Sequence, residues 1–259
     1  MNTIITGTQS KAADRYAIDV MKIPSLELME TASRKAAEEL ASRFTEDTDI
    51  LICCGTGNNG ADGVCMGRIL LDRGYRKVRL ALCGDPAKET EEFRFQMETW
   101  NARPGHTAPM RFSPNAAVAS DPAGPAASPQ AGPAAEDCSA AVHAADRETG
   151  ITALPDTEIL VDAVFGIGLH RPVEGLYRDF LAEMNRIRKT FTLAVDVPSG
   201  INSDSGEVMG IAVPADVTVT FGRSKTGLVL AEGPAFAGEV LVKEIGIPEE
   251  AYEAAVKGK

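Results

Sequence analysis

The chain has 259 residues, 44% of them hydrophobic and 24% charged, with a formal net charge of −11. That length fits one large α/β domain or two small ones, and the acidic balance argues against a nucleic-acid binder, which needs clustered Lys and Arg. No apolar run approaches the roughly 20 residues of a membrane span, and the first residues lack the basic-then-apolar pattern of a secretory leader, so a soluble, cytoplasmic protein is expected.

In chain order, residues 8–22 and 25–44 read as two helices broken at Pro24, with Ser25 placed to cap the second and Glu27 in its first turn. Leu28, Met29, Ala32, Ala36, Leu40 and Phe44 recur at helical spacing and predict a core or dimer face. Ile50-Leu51-Ile52-Cys53-Cys54 predicts a buried strand, followed by the turn Gly55-Thr56-Gly57-Asn58-Asn59-Gly60-Ala61-Asp62-Gly63 and a helix from about 64 to 73. A second strand is expected at 78–83 and a helix at 89–101. Residues 104–150 then turn rich in Pro and Ala with few larger apolar side chains, which predicts a flexible insertion interrupting a single domain that spans 1–259. Strands follow at 158–165, 191–197, 215–221 and 238–245, with a helix at 176–188. Near-continuous apolar strands alternating with helices predict a Rossmann-like α/β fold, a mostly parallel sheet with helices on both faces. The five cysteines (Cys53, Cys54, Cys65, Cys83, Cys138) form no C-x-x-C pair and mostly lie in apolar segments, as buried reduced thiols do.

Strand, glycine-rich turn and helix bring backbone N–H groups to an anionic ligand, and glycines can supply close approach and positive φ. The turn also spells G-x-G-x-x-G at Gly55, Gly57 and Gly60, with Asp85 about where a ribose-binding acid falls. Alone this match is weak, and no hydride-site constellation of an ordinary NAD-dependent oxidoreductase accompanies it. In open α/β sheets ligands bind beyond the carboxyl ends of the strands, and three polar clusters fall there: Asn58/Asn59/Asp62, then Asp162, then Asp196 with Ser199. Asp162 is either a structural carboxylate satisfied by backbone N–H groups of the next turn or a cation ligand; Asp196 is either a turn-former before Pro198 or a functional acid. Two acids on neighbouring strand ends repel unless a cation or a shared proton relieves them. Carboxylate, amide and hydroxyl oxygens suit a hard ion, potassium at least as well as magnesium, and argue against zinc or copper. Lys225 either reaches a phosphate or is a solvated turn lysine. His106 and His143 fall in or beside the insertion, and His170 reads as a solvated loop histidine.

Several motifs in fixed order resemble the NAD(P)HX epimerase family, the YjeF N-terminal domain family. They are the Gly55–Gly63 turn, Val161-Asp162-Ala163-Val164-Phe165-Gly166-Ile167-Gly168-Leu169, Val195-Asp196-Val197-Pro198-Ser199-Gly200-Ile201, Ala215-Asp216-Val217-Thr218-Val219-Thr220-Phe221-Gly222, Lys225-Thr226-Gly227-Leu228 and Ile245-Gly246-Ile247-Pro248. The resemblance implies a homodimer that epimerises hydrated NADH and NADPH (NADHX and NADPHX) for a separate ADP- or ATP-dependent dehydratase. Carried over by position, Asn58, Asn59, Gly60, Ala61, Asp62, Gly166, Ile167, Gly168, Leu169, His170, Arg171, Pro172 and Asp196 bind the hydrated dinucleotide. Asn59, Asp162 and Ser199 hold one potassium ion per subunit, and Asp196 is the expected acid/base. Ala61 stands where the family commonly has glycine, which is tolerable if φ there is negative, and the insertion has no counterpart in the family pattern. YjeF-like domains also occur as non-catalytic dimerising scaffolds, which is the competing expectation.

Overall fold

The computed structural model describes residues 4–113 and 149–257; the middle of the Pro/Ala-rich stretch, with Cys138 and His143, lies outside the described residues. The strands are β1 (Ile50–Cys54), β2 (Val78–Leu82), β3 (Met110–Phe112), β4 (Thr149–Ile151), β5 (Ile159–Ala163), β6 (Phe191–Val195), β7 (Val217–Phe221) and β8 (Glu239–Lys243). They form one sheet in the order β4-β3-β2-β1-β5-β6-β7-β8, and every pairing is parallel. The helices are α1 (Gly7–Asp19), α2 (Ser25–Ala41), α3 (Asn58–Asp72), α4 (Glu91–Asn101), α5 (Gly175–Arg186), α6 (Gly233–Ala237) and α7 (Glu249–Val256).

Strand alternation divides the core. Ile50, Ile52 and Cys54 pack with Leu40, Val64, Leu70 and Trp100 on one face, while Leu51 and Cys53 pack with Phe180, Leu181 and Met184 of α5 on the other. The chain steps from β1 outward to β4, then returns to place β5 on the other side of β1, so strand order reverses between β1 and β5. That reversal opens a crevice above their carboxyl ends.

Several expectations change at the boundaries. Pro24, with no side-chain cap bond, precedes α2, and the Ser25 hydroxyl donates to Glu92 at 3.1 Å instead of capping. α3 starts at Asn58, not 64, so the Asn-Asn-Gly-Ala-Asp run is its first turn. The expected insertion at 104–150 contributes β3 and β4 from its two ends, three-residue strands too short for the alternation rule to register. α6 and α7 lie where no helix is expected from the sequence pattern.

The segment before the sheet is tied down. Thr6 and Gln9 form a reciprocal capping box at the start of α1, with both bonds at 3.0 Å. Asp204 Oδ1 accepts from the Gly7 N–H at 2.5 Å and its Oδ2 from the Thr8 hydroxyl at 2.9 Å. Ile5 pairs in parallel with Lys225, donating to the Ser224 carbonyl (3.0 Å) and accepting from the Thr226 N–H (2.8 Å).

Candidate active site

A cavity of about 750 Å³ occupies the crevice. Asn58, Asn59 and Asp62 enter it from α3, Gly166, Ile167 and Gly168 from the loop after β5, and Asp196 from the end of β6. The structure therefore brings together seven of the sequence-predicted ligand residues. Leu169, Arg171 and Pro172 border a smaller adjoining cavity of about 260 Å³ that shares Phe165 and Tyr177 with the first, and exposed His170 borders neither. Asp85 is exposed and accepts from the Ala87 N–H at 3.0 Å, which makes it a turn-former.

The glycines of the turn work through space, not through φ: Gly55, Gly57, Gly60 and Gly63 are all outside the positive-φ region. A Cβ on Gly60 would run into the Gly55 carbonyl oxygen, and one on Gly55 into the Val164 carbonyl oxygen. The absent side chains let the first turn of α3 settle directly on the ends of β1 and β5. Gly57 alone of the four has nothing within 4 Å of a built Cβ, and it opens the turn to the cavity. Because no side chain caps α3, its first N–H groups are available to an anion, which the helix dipole favours. Ala61 lies fully buried in the helix without positive φ, so the side chain is accommodated.

Asp196 takes φ +69, one of three non-glycine residues in the left-handed region among those described. Asp and Asn tolerate that conformation better than most residues. The turn aims the carboxylate back under β7. Oδ1 accepts from the Lys225 ammonium at 2.6 Å and from the Thr220 hydroxyl at 3.1 Å. Lys225, 1% exposed, also donates to Thr220 Oγ1 and the Phe221 carbonyl, each at 2.9 Å. It is neither a solvated turn lysine nor a free phosphate ligand. It is the buried partner of Asp196. The other oxygen, Oδ2, points at Gly166, where a built Cβ would stand 3.3 Å from it and 3.0 Å from Asn59 Oδ1. Asp196, Asn59 and the backbone of the Gly166 loop thus converge on one patch of cavity wall. The relief expected from a cation or shared proton is supplied at Asp196 by Lys225.

Asp162 and Ser199 stand behind that wall, both 0% exposed. Asp162 Oδ2 accepts from the Ser199 N–H at 2.7 Å; Oδ1 accepts from the Ser199 hydroxyl at 2.5 Å and the Val164 N–H at 3.3 Å. The Ser199 hydroxyl oxygen accepts in turn from the Phe165 N–H at 2.8 Å. Burial raises the Asp162 carboxyl from 3.8 to about 6, opposed by these hydrogen bonds. On the cavity wall itself, the Asn59 Nδ2 is buried without a hydrogen-bond partner. Among the described residues no cluster of three or more His, Cys, Asp or Glu side chains suits a metal ion.

Three more acids border the cavity, Asp62 from α3 and Asp14 and exposed Asp19 from α1. Asp62 borders it with its carboxyl pushed well above the usual range, first by burial and then by the charges of Asp196 and Asp14. Asp14 comes from α1 with Ser10, Lys11 and Arg15. None of these four was expected: the sequence gives α1 no polar motif, and only its folding across the crevice brings them there.

A doubly wound parallel sheet, with an uncapped helix start at its switch point and a buried acid–lysine pair beside the same cavity, places this protein among the Rossmann-like α/β folds. Residues 25–227 match the family described as YjeF-related protein N-terminus, and the chain belongs to that family. It is 37% identical over 240 residues to the NAD(P)H-hydrate epimerase of Limosilactobacillus fermentum, covering 93% of this chain and 95% of that one. The NAD(P)H-hydrate epimerase of Levilactobacillus brevis is 31% identical, with 95% of each chain covered. The bifunctional NAD(P)H-hydrate repair enzyme Nnr of Coxiella burnetii is 33% identical over 98% of this chain but only 43% of its own length. The crystal structure of yeast ynu0 superposes with a TM-score of 0.66 at 17% identity, over 98% of this chain and 93% of that one, a likeness of fold.

Proposed function

We propose that this chain is an NAD(P)H-hydrate epimerase that interconverts the R and S forms of NADHX and NADPHX at the hydrated nicotinamide carbon. Relatives of nearly equal length that carry that name support the reading. So does a cavity volume within the roughly 300–1,000 Å³ common for small-molecule sites. The observation that carries it is the Asp196 carboxylate, held through Oδ1 by buried Lys225 while Oδ2 faces the cavity beside Asn59 and Gly166.

In this reading the ring binds over that patch. Asp196 Oδ2 exchanges a proton with the hydroxyl of the hydrated carbon, and Lys225 fixes the carboxylate's orientation and charge. The α3 start, with Asn58, Asn59 and Asp62, and the 166–172 loop hold the rest of the dinucleotide, the loop's Leu169, Arg171 and Pro172 reaching it through the smaller cavity. The residues assigned to potassium fit a hard monovalent cation: Asp162 is a fully buried carboxylate met only by neutral donors, one of them the Ser199 hydroxyl, and Asn59 offers an amide oxygen at the Gly166 loop. Bound there, potassium would supply positive charge behind the wall that carries Asn59. The protein is read as a homodimer on the strength of the resemblance, and the bifunctional relatives support a link to a dehydratase activity.

The test is chromatographic resolution of epimers after adding the protein to enriched (R)-NADHX. Acceleration above the spontaneous rate is expected, with a loss of about 10²–10⁴-fold on Asp196→Asn. A folded parent protein that leaves the spontaneous rate unchanged would refute the reading and favour a dimerising scaffold.

A further inference from the structure

Inverting a carbon that bears a hydroxyl requires proton traffic on both of its faces, and a carboxylate on one wall serves one face. Asp196 stands on the strand-end wall. The opposite requirement draws attention to α1, which precedes the residues matched by the family. Positions 10, 14 and 18, with 11 and 15, follow helical spacing, and all five line the cavity, while Ala13 and Ala17 are fully buried beneath them. Asp14 sits in the middle of this stripe. Among the described residues its carboxyl makes no hydrogen bond or ion pair, unlike those of Asp162 and Asp196. Its placement is fixed from outside: the capping box and Asp204 hold the start of α1, and Ile5, just before it, is hydrogen-bonded on both sides of Lys225. Asp14 and the lysine that holds Asp196 are thus carried by two segments bonded to each other.

We propose that Asp14 is a second acid–base residue of the epimerisation, serving the face of the hydrated carbon turned toward α1 while Asp196 serves the other. The proposal rests on the epimerase reading. In one direction the Asp14 carboxylic acid gives its proton to the hydroxyl oxygen as the C–O bond breaks, and the ring-nitrogen lone pair moves into the C–N bond. Water then adds to the opposite face as Asp196 accepts one of its protons, and the pair returns to nitrogen. One water leaves and one enters, and the net proton passes from Asp14 to Asp196; the reverse reaction returns it.

The charges around Asp14 suit this division. Burial raises its carboxyl from 3.8 to about 6, opposed by Lys225 and reinforced by Asp196. Asp62 and Tyr252 also face it, and Lys11 and Arg15 flank it on its own helix. One acid is thus disposed to hold a proton while the other is tied to an ammonium, the separation that assigns acid and base roles.

The experiment measures kcat and KM from both enriched epimers, for the full chain and its Asp14→Asn and Asp14→Glu variants, over roughly pH 5–9. Expected for Asp14→Asn is a kcat loss of about 10²–10⁴-fold in both directions with KM little changed. The parent's fall in kcat/KM as pH rises through about 6, where Asp14 loses its proton, disappears in Asp14→Asn and is displaced in a partly active Asp14→Glu. A parent-like kcat in Asp14→Asn, or loss of activity with the same pH limb retained in either variant, overturns the proposal. An inactive parent overturns the epimerase reading instead.

Discussion

Replacing Lys225 by Met, a side chain of similar reach, tests the centre of the site. The substitution removes the ammonium from three oxygen partners at 2.6, 2.9 and 2.9 Å and leaves Asp196, 8% exposed, without its counter-ion. Breaking a buried pair from one side costs about 3–5 kcal/mol, because the remaining charge stays in a poor solvent. Asp196 opens on a cavity that water can enter, which places the cost at the lower end, about 3 kcal/mol, or a fall in melting temperature of roughly 6–12 °C for a chain of this size. Urea unfolding monitored by circular dichroism reads the change as a shift in midpoint. The diagnostic is the cycle with Asp196→Asn: each single change strands one partner, so the double variant should lose less than the sum of the two, by about 1–3 kcal/mol. Additive losses, or a Lys225→Met variant as stable as the parent, would show that the ion pair is not what holds this corner together.

Other substitutions separate the remaining parts of the site. Gly60→Ala should cost about 1–3 kcal/mol in urea unfolding, since its Cβ has no room against the Gly55 carbonyl. Gly57→Ala, which meets nothing within 4 Å, should leave stability within about 0.5 kcal/mol and weaken substrate binding, seen as a higher KM. Potassium chloride should raise the melting temperature over an equal concentration of choline chloride, by about 2.7 kcal/mol of stabilisation when the ion is at a hundred times its Kd. Asp162→Asn should abolish that difference; an unchanged potassium response in the variant would remove Asp162 from the cation site.

Much of this architecture can be read from the sequence because the central strands are buried on both faces. Runs such as Ile50–Cys54 and Ile159–Ala163 leave apolar stretches with few other interpretations. The start of α3 is harder to see: Gly and Asn are poor helix formers, and what makes residues 58–62 helical is the fit of Gly60 against Gly55. The start of α7 escapes the sequence pattern for another reason: only a proline and two acids mark it, and the helix is eight residues long, too short for a periodic stripe to stand out. At the site, the acids at strand ends are legible by position, since topology alone decides where the carboxyl ends of strands point. Partnership is not. Lys225 lies 29 residues from Asp196, and nothing in the turn around it distinguishes an inward lysine from a solvated one. Asp14 is hidden for a different reason: an acid in an amphipathic helix reads as its wet face, and here that face looks into a cavity.

The parallel pairing of β3 with β4 limits how far this chain could be shortened. Phe112 ends at the carboxyl edge of the sheet and pairs with Ile151, while the returning strand begins at Thr149 beside Met110. The end of β3 and the start of β4 therefore lie at opposite edges of the sheet, and joining parallel neighbours takes about a dozen residues or more. A two-residue turn, adequate for an antiparallel neighbour, cannot close this gap. Residues 114–148 exceed that minimum severalfold, so a trimmed protein could lose most of them and keep its outermost strand. A clean excision would detach β4.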